Sequence, residues 1–348
     1  MGRDSGLSHE IPLKNSVYMK SPFTGGKAIL RREARVFDYR KEAFSITYHY
    51  YQCEDTQEQF TTTELDGLNI NQVHNKYRAK YGIPFVDEIR YTREKYALSA
   101  AKMSEVLGLG ANVYRNYESG EMPSVATGRL IRMAEDPSEF NKLLALSRNV
   151  LEAHDFDRVQ KKLQRVLHVT TETAVLADKY IFQHQYPDEF NGYRKGNMTK
   201  LGHVVRYLAA TLAPFVTGMN KLLFYVDFRH YQQYGRSITG ISYKAIEWGP
   251  VPRNYGAMYN FLADEQYIAV EEQEVGEMLV WKDKIKLTIE NSPLDQEEIN
   301  TIEKVVKKMK GKNTRQIVDM SHEESAWKEN VKQKAFISYE YSFLLQVF

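Results

Sequence analysis

Cysteine is almost missing from this chain: Cys53 is the single one among 348 residues. One thiol excludes a disulfide framework within the chain and a zinc site built from cysteines alone. It fits a reducing compartment, so a cytoplasmic protein is expected. An excess of one charge is missing as well. The formal net charge is +2, so no global field draws the chain to nucleic acid or acidic lipid, and a DNA contact has to come from a local patch. No long apolar run is present. The most apolar stretch, Val204 to Val226, is interrupted by Arg206, Pro214, Asn220 and Lys221. It reads as a buried helical hairpin rather than a membrane span. The first twenty residues lack the apolar segment of a signal peptide. Catalytic signatures are lacking too. The nine histidines show no paired metal spacing, and no glycine-rich phosphate loop follows a strand. Asp227 and His230 share a helix face without a nucleophile or ligand set nearby, so a satisfied polar pair is expected. No enzyme, metal or cofactor is expected.

What is present points to several domains, because 348 residues exceed one ordinary core. The reading is α+β, mainly helical. Residues 1–18 read as a disordered leader. Residues 19–82 form a small β-rich domain with a helix. Gly25-Gly26 marks a turn, and Val36, Tyr39, Phe44, Ile46, Tyr48 and Tyr50 make a partly alternating run of half-buried strands. So small a segment needs something to cover it. Residues 83–146 are a series of short helices, and 147–185 a connecting helix whose Arg158, Lys161, Lys162 and Arg165 form a solvated basic face. Residues 186–348 form a second unit, mostly α with a small hairpin. Helices are expected at about 198–212, 218–234, 254–264, 295–310 and 313–320, and strands at Tyr267–Glu271 and Met278–Thr288.

Residues 98–124 carry two short helices around a glycine turn. Ser99 caps the first, and Gly108 supplies the left-handed conformation that ends it. Val113 and Tyr117 share a face that can pack on Met103 and Leu107. Asn112, Arg115 and Asn116 are left opposite, with Tyr114 among the expected DNA contacts. Asn pairs with adenine, and Arg with guanine or phosphate; Lys102 and Arg93 are expected on phosphates. Between Asp87 and Asp136 there are seven Lys and Arg against eight Asp and Glu. One module therefore binds weakly, and a homodimer on a two-fold operator is expected.

The Gly108, Gly110, Asn112, Tyr117 and Glu118 pattern resembles the Xre-type helix-turn-helix, and more closely that of MqsA (YgiT-type) antitoxins. Residues 19–62 then resemble the zinc-binding head of that family with its ligands lost, giving a degenerate zinc-ribbon-like domain. The positions of its paired cysteine knuckles hold Ser21 and Thr24, then Cys53 and Thr56, and Ser and Thr are poor zinc ligands. Cys53 is expected as a buried small hydrophobe, with an aromatic cluster from Phe37 to Tyr51 holding the fold.

Residues 190–335 resemble the Panacea (SocA-like) domain through Lys221 to Phe228, Thr239-Gly240, Tyr243, Trp248 to Pro252, Ser321-His322 and Ala326-Trp327. The resemblance implies an antitoxin that binds a cognate protein toxin, with operon autorepression by the helix-turn-helix. A stand-alone prophage-type regulator and a proteolytic adaptor remain open. The prolines of Trp248-Gly249-Pro250-Val251-Pro252 fix φ and are expected to keep this loop out of sheets and helices. A rigid loop with an aromatic anchor suits an interface, although Trp248 would equally serve as a core plug. Toxin contacts are expected at Trp248, Pro250, Pro252, Arg253 and Tyr225. Trp327 with His322 reads as a capping contact under the last helix.

Overall fold

The computed structural model describes residues 18–169, 179–182, 186–274, 276–281 and 286–348. The expected leader, apart from its last residue, and part of the 147–185 connector lie outside these. The architecture is mixed α+β and mainly helical. The chain divides into two compact units, residues 1–76 with 178–348 and residues 77–177.

The first unit opens with a four-stranded antiparallel sheet: β1 (Tyr18–Lys20), β2 (Lys27–Tyr39), β3 (Glu42–Cys53) and β4 (Gln59–Phe60), in that order. A two-residue turn joins β2 to β3, with Arg40 and Lys41 both left-handed. Tyr48 lies 5.5 Å from Phe37 and 5.7 Å from Tyr50, centroid to centroid, and the Arg35 guanidinium sits 3.8 Å above the Tyr48 ring. The cover that so small a sheet needs comes from α1 (Thr63–Tyr81) and the C-terminal residues. Asn69 exchanges two hydrogen bonds of 2.9 Å with the backbone of His49, and Gln72 does the same with Thr47. Ser21, Thr24 and Thr56 converge on Cys53. Cys53 is fully buried, but it is not merely a small hydrophobe. The Ser21 hydroxyl, with those of Thr56 and Thr24, brings its thiol down to about 6. Among the described residues no group of His, Cys, Asp or Glu could hold a metal ion.

The rest of this unit is built on a helical hairpin, α8 (Met198–Leu212) and α9 (Val216–Tyr234). Asn197 caps α8 by accepting from Lys200 N at 2.9 Å. Left-handed Ala213 and then Pro214 end α8, and left-handed Gly235 ends α9. From Gly218 to Phe228 every residue of α9 is buried, so it forms the centre of the core. No helix of the described residues is long and apolar enough to cross a membrane.

β5 (Tyr243–Ile246) and β6 (Gly249–Pro252) follow, then α10 (Tyr255–Asp264), the ribbon β7 (Ala269–Gln273) and β8 (Gly276–Val280), and three helices, α11 (Gln296–Met309), α12 (Thr314–Glu323) and α13 (Ser325–Lys328). β6 corrects the expectation that its prolines keep it out of a sheet. Pro250 pairs with Ala245 and Pro252 with Tyr243, while Arg253 N donates to Ser242 O at 3.2 Å. The prolines therefore alternate with the residues whose N–H groups face β5. β5 meets residues 335–337 on its other side, which leaves β6 at the edge, where a missing N–H is tolerated.

In the second unit, α2 (Val86–Lys95), α3 (Ala100–Val106), α4 (Val113–Glu118), α5 (Val125–Ala134) and α6 (Pro137–Leu146) lead to α7 (Ala153–Val169). Their shared core includes Ile89, Tyr96, Met103, Tyr114, Ile131 and Phe140. Arg158, Lys161, Lys162 and Arg165 are exposed on α7, as the amphipathic pattern predicts.

Candidate functional site

Two surfaces concentrate the residues singled out by the sequence. The first is the exposed face of α4. Ser99 caps α3 by accepting from Lys102 N at 3.2 Å, and Gly108 is left-handed at φ 66°, so the local signals act as expected. Ser104 Oγ accepts from Tyr114 N at 3.1 Å and fixes the start of α4 against α3. Asn112, Arg115 and Asn116 all face solvent. Of the three other expected DNA contacts, Tyr114 is corrected, and Arg93 and Lys102 have partners within this unit. Tyr114 is fully buried and donates to Ile89 O at 2.7 Å, so it is a core residue. Arg93 cross-links α2 and α4, donating to Glu118 at 2.6 Å and to Leu98 O at 2.9 Å. Lys102 is engaged by Glu105 at 3.0 Å and Asp155 at 3.4 Å.

The second surface is the β5–β6 tip. Ile246 pairs with Gly249, so the two-residue turn is Glu247-Trp248, and Trp248 is 65% exposed. It therefore does not plug the core. Arg253 is exposed beside it in sequence, its guanidinium 5.2 Å from the Phe336 ring. Pro250, Pro252 and Tyr225 are buried, which removes them from a contact surface. Tyr225 instead donates to Glu324 at 3.3 Å. Burial, the largest influence on Glu324, raises its carboxyl to about 7.

The tip is held from below. Trp327 Nε1 donates to Ile246 O at 2.7 Å, and its ring stacks on His322 at 4.0 Å with a 16° tilt. These residues support the hairpin rather than cap the last helix alone. Gly249 is left-handed at φ 98°, and a Cβ there would stand 2.7 Å from both Lys221 Cε and Ser321 Oγ. Only glycine lets the hairpin close over α9 at that distance.

Lys221 beneath it is fully buried, and its Nζ has no hydrogen-bond partner among the described residues. Burial alone lowers its amine to about 7. Burial, with Lys221 next, also lowers His322, whose Nε2 is likewise without a partner. This uncompensated amine was missed at the sequence level. Its signal was a lysine set against the apolar run Leu222 to Val226.

Asp227 and His230 are satisfied, but not by each other. Asp227 Oδ1 accepts from Ile238 N at 2.9 Å and Thr239 N at 2.8 Å. Its Oδ2 accepts from Thr239 Oγ1 at 2.6 Å and the Tyr243 hydroxyl at 2.8 Å. His230 Nδ1 lies 3.1 Å from Thr301 Oγ1. Asp227 therefore ties α9 to the segment that leads into the hairpin.

No curated protein and no solved structure matches this chain. The family model of the antitoxin SocA-like, Panacea domain matches residues 219–328, from Met219 in α9 to Lys328 at the end of α13.

Proposed function

We propose that this chain is an antitoxin that captures a cognate protein toxin with its C-terminal residues and represses its own operon through the helices around α4. The match of residues 219–328 to the SocA-like Panacea model carries the first half of this reading. The exposed Trp248, presented on a two-residue turn that Trp327 and Gly249 hold rigid, supports a docking point at the β5–β6 tip. An aromatic anchor that is already ordered loses little entropy on binding. The reading assigns the chain no catalytic role.

Co-expression with the product of the flanking reading frame tests the proposal. That product is expected to arrest growth alone and to be harmless with this chain, and to co-purify with it. Trp248→Ala is expected to leave the urea midpoint unchanged, because the side chain is exposed. Toxin affinity should fall by about 2 kcal/mol, roughly 30-fold. Titration calorimetry with an unchanged affinity would move the docking point elsewhere.

The DNA half rests on Asn112, Arg115 and Asn116, which share the exposed face of α4 while Tyr114 and Tyr117 face the core. These side chains suit base-edge and phosphate contacts. A two-fold dimer would double the few cationic contacts that one module offers. The double substitution Asn112→Ala, Arg115→Ala is expected to abolish binding to the chain's own promoter fragment in a gel-shift titration and to leave toxin neutralisation intact. Loss of both activities together would refute the division of labour between the two surfaces.

A further inference from the structure

We infer that the end of α11 and the start of α12 form a contact surface for the phosphate backbone of duplex DNA. Lys304, Lys307, Lys308, Lys310, Lys312 and Arg315 place six cations and no carboxylate in twelve residues, whereas the whole chain of 348 has 47 Lys and Arg. All six side chains are exposed. Ile302, Val305, Val306 and Met309 take the buried side of α11, and that period leaves Lys304, Lys307 and Lys308 on the opposite side.

The six ride on an ordered backbone. Lys310 N donates to Val306 O at 2.9 Å, Lys312 N donates to Met309 O at 3.1 Å, and left-handed Gly311 turns the chain. Asn313 then caps α12. Its Oδ1 accepts from Gln316 N at 2.9 Å, while Gln316 Oε1 accepts from Asn313 N at 3.0 Å. Asn300, Glu303, Lys304 and Lys307 line an open depression on α11.

Fold stability does not account for this charge. Lys307 and Lys308 lie in the last turn of α11 and suit its dipole. Lys310 and Lys312 lie beyond that turn, and Arg315 stands in the first turn of α12, where the dipole opposes a cation. None of the six forms an ion pair among the described residues, although Glu303 and Asp319 flank them in sequence. Like charges set so close repel one another, and a polyanion relieves that repulsion. The surface is also wholly polar, because every apolar side chain from Val305 to Val318 is buried. A protein partner or a lipid surface is held by apolar anchors. A phosphate backbone needs only cations and polar donors. Duplex DNA as the polyanion follows from the DNA half of the proposed function. The α4 module carries seven Lys and Arg against eight Asp and Glu, and its Arg93 and Lys102 already have partners, so cations for the backbone have to come from elsewhere on the chain.

Fluorescence anisotropy on the full chain, with labelled duplexes of its own promoter and of an unrelated sequence, tests the surface between about 50 and about 200 mM salt. Wild type is expected to hold the unrelated duplex weakly at low salt and to release it as salt rises. Lys307→Gln, Lys308→Gln and Lys310→Gln together are expected to weaken that binding at least about tenfold and to flatten the slope of log affinity against log salt by about 2–3. The three side chains are exposed, so the urea midpoint should not fall. A triple variant with the affinity and slope of wild type overturns the inference, and a retained preference for the promoter would leave the α4 reading standing. A flattened slope without any promoter preference upholds the surface and refutes the α4 reading. No binding of either duplex refutes both. Tighter binding of poly-glutamate or of phosphatidylserine vesicles than of the duplex also overturns the inference, in favour of an acidic protein or a lipid surface.

Discussion

Lys221→Met is expected to make this protein more stable at pH 7, by as much as about 4–5 kcal/mol, taking roughly 1.4 kcal/mol for each tenfold change in proton affinity. The reason is the amine beneath Gly249, which is fully buried, has no partner among the described residues and is lowered to about 7. Above the ordinary lysine value near 10.5 the amine is neutral in both states and burial costs nothing electrostatic. As pH falls from about 10.5 to about 7, the unfolded chain takes up a proton that the folded chain refuses, so stability declines across that window. Below about 7 both states are protonated, and the loss stays constant. Methionine keeps the length of the side chain without the charge. Urea midpoints of wild type and Lys221→Met at pH 7 and at pH 10 should differ widely at the first and converge at the second. A variant no more stable than wild type at pH 7 would mean that the buried amine is compensated and carries no such cost.

Asp227→Ala should act in the opposite sense, destabilising by about 3–5 kcal/mol. The substitution leaves the buried N–H groups of Ile238 and Thr239 without an acceptor, and removes the anchor of the Thr239 and Tyr243 hydroxyls. Asp227→Asn is the informative control. Its amide oxygen can keep both backbone bonds at the Oδ1 position. Its NH2 group can donate to the two hydroxyls once they rotate to accept. The asparagine variant should therefore lose much less than the alanine variant, although burial raises the aspartate from its ordinary value. Equal losses would mean that the charge itself, rather than its four hydrogen bonds, organises this part of the domain.

Much of the helical scaffold was legible because helix ends are local chemistry. Ser99, Gly108 and Pro214 each act within a turn of their own position, and the boundaries they mark agree closely with the observed elements. The face of a short helix was less so. Val113 and Tyr117 do pack on the core with Met103 and Leu107, but α4 turns Tyr114 inward as well, because the carbonyl of Ile89 on another helix accepts the Tyr114 hydroxyl. Pro250 and Pro252 misled for a related reason. Proline is hostile to a ladder only where its N–H is needed, and that depends on the parity of pairing with β5, where the partners Ala245 and Tyr243 lie five and nine residues away. Trp248 and Tyr225 are both large aromatics in pieces of the same resemblance, and no pattern in the sequence separates the exposed one from the buried one.

Amino-acid order alone determined the α+β and mainly helical character and the helical hairpin around Pro214. Each of these follows from propensity, capping or short-range spacing. Tertiary structure alone decided that Trp248 stands in solvent and that Lys221 is buried beneath Gly249 with no hydrogen-bond partner among the described residues. Burial is a property of segments brought together from separate parts of the chain, and no local rule encodes it.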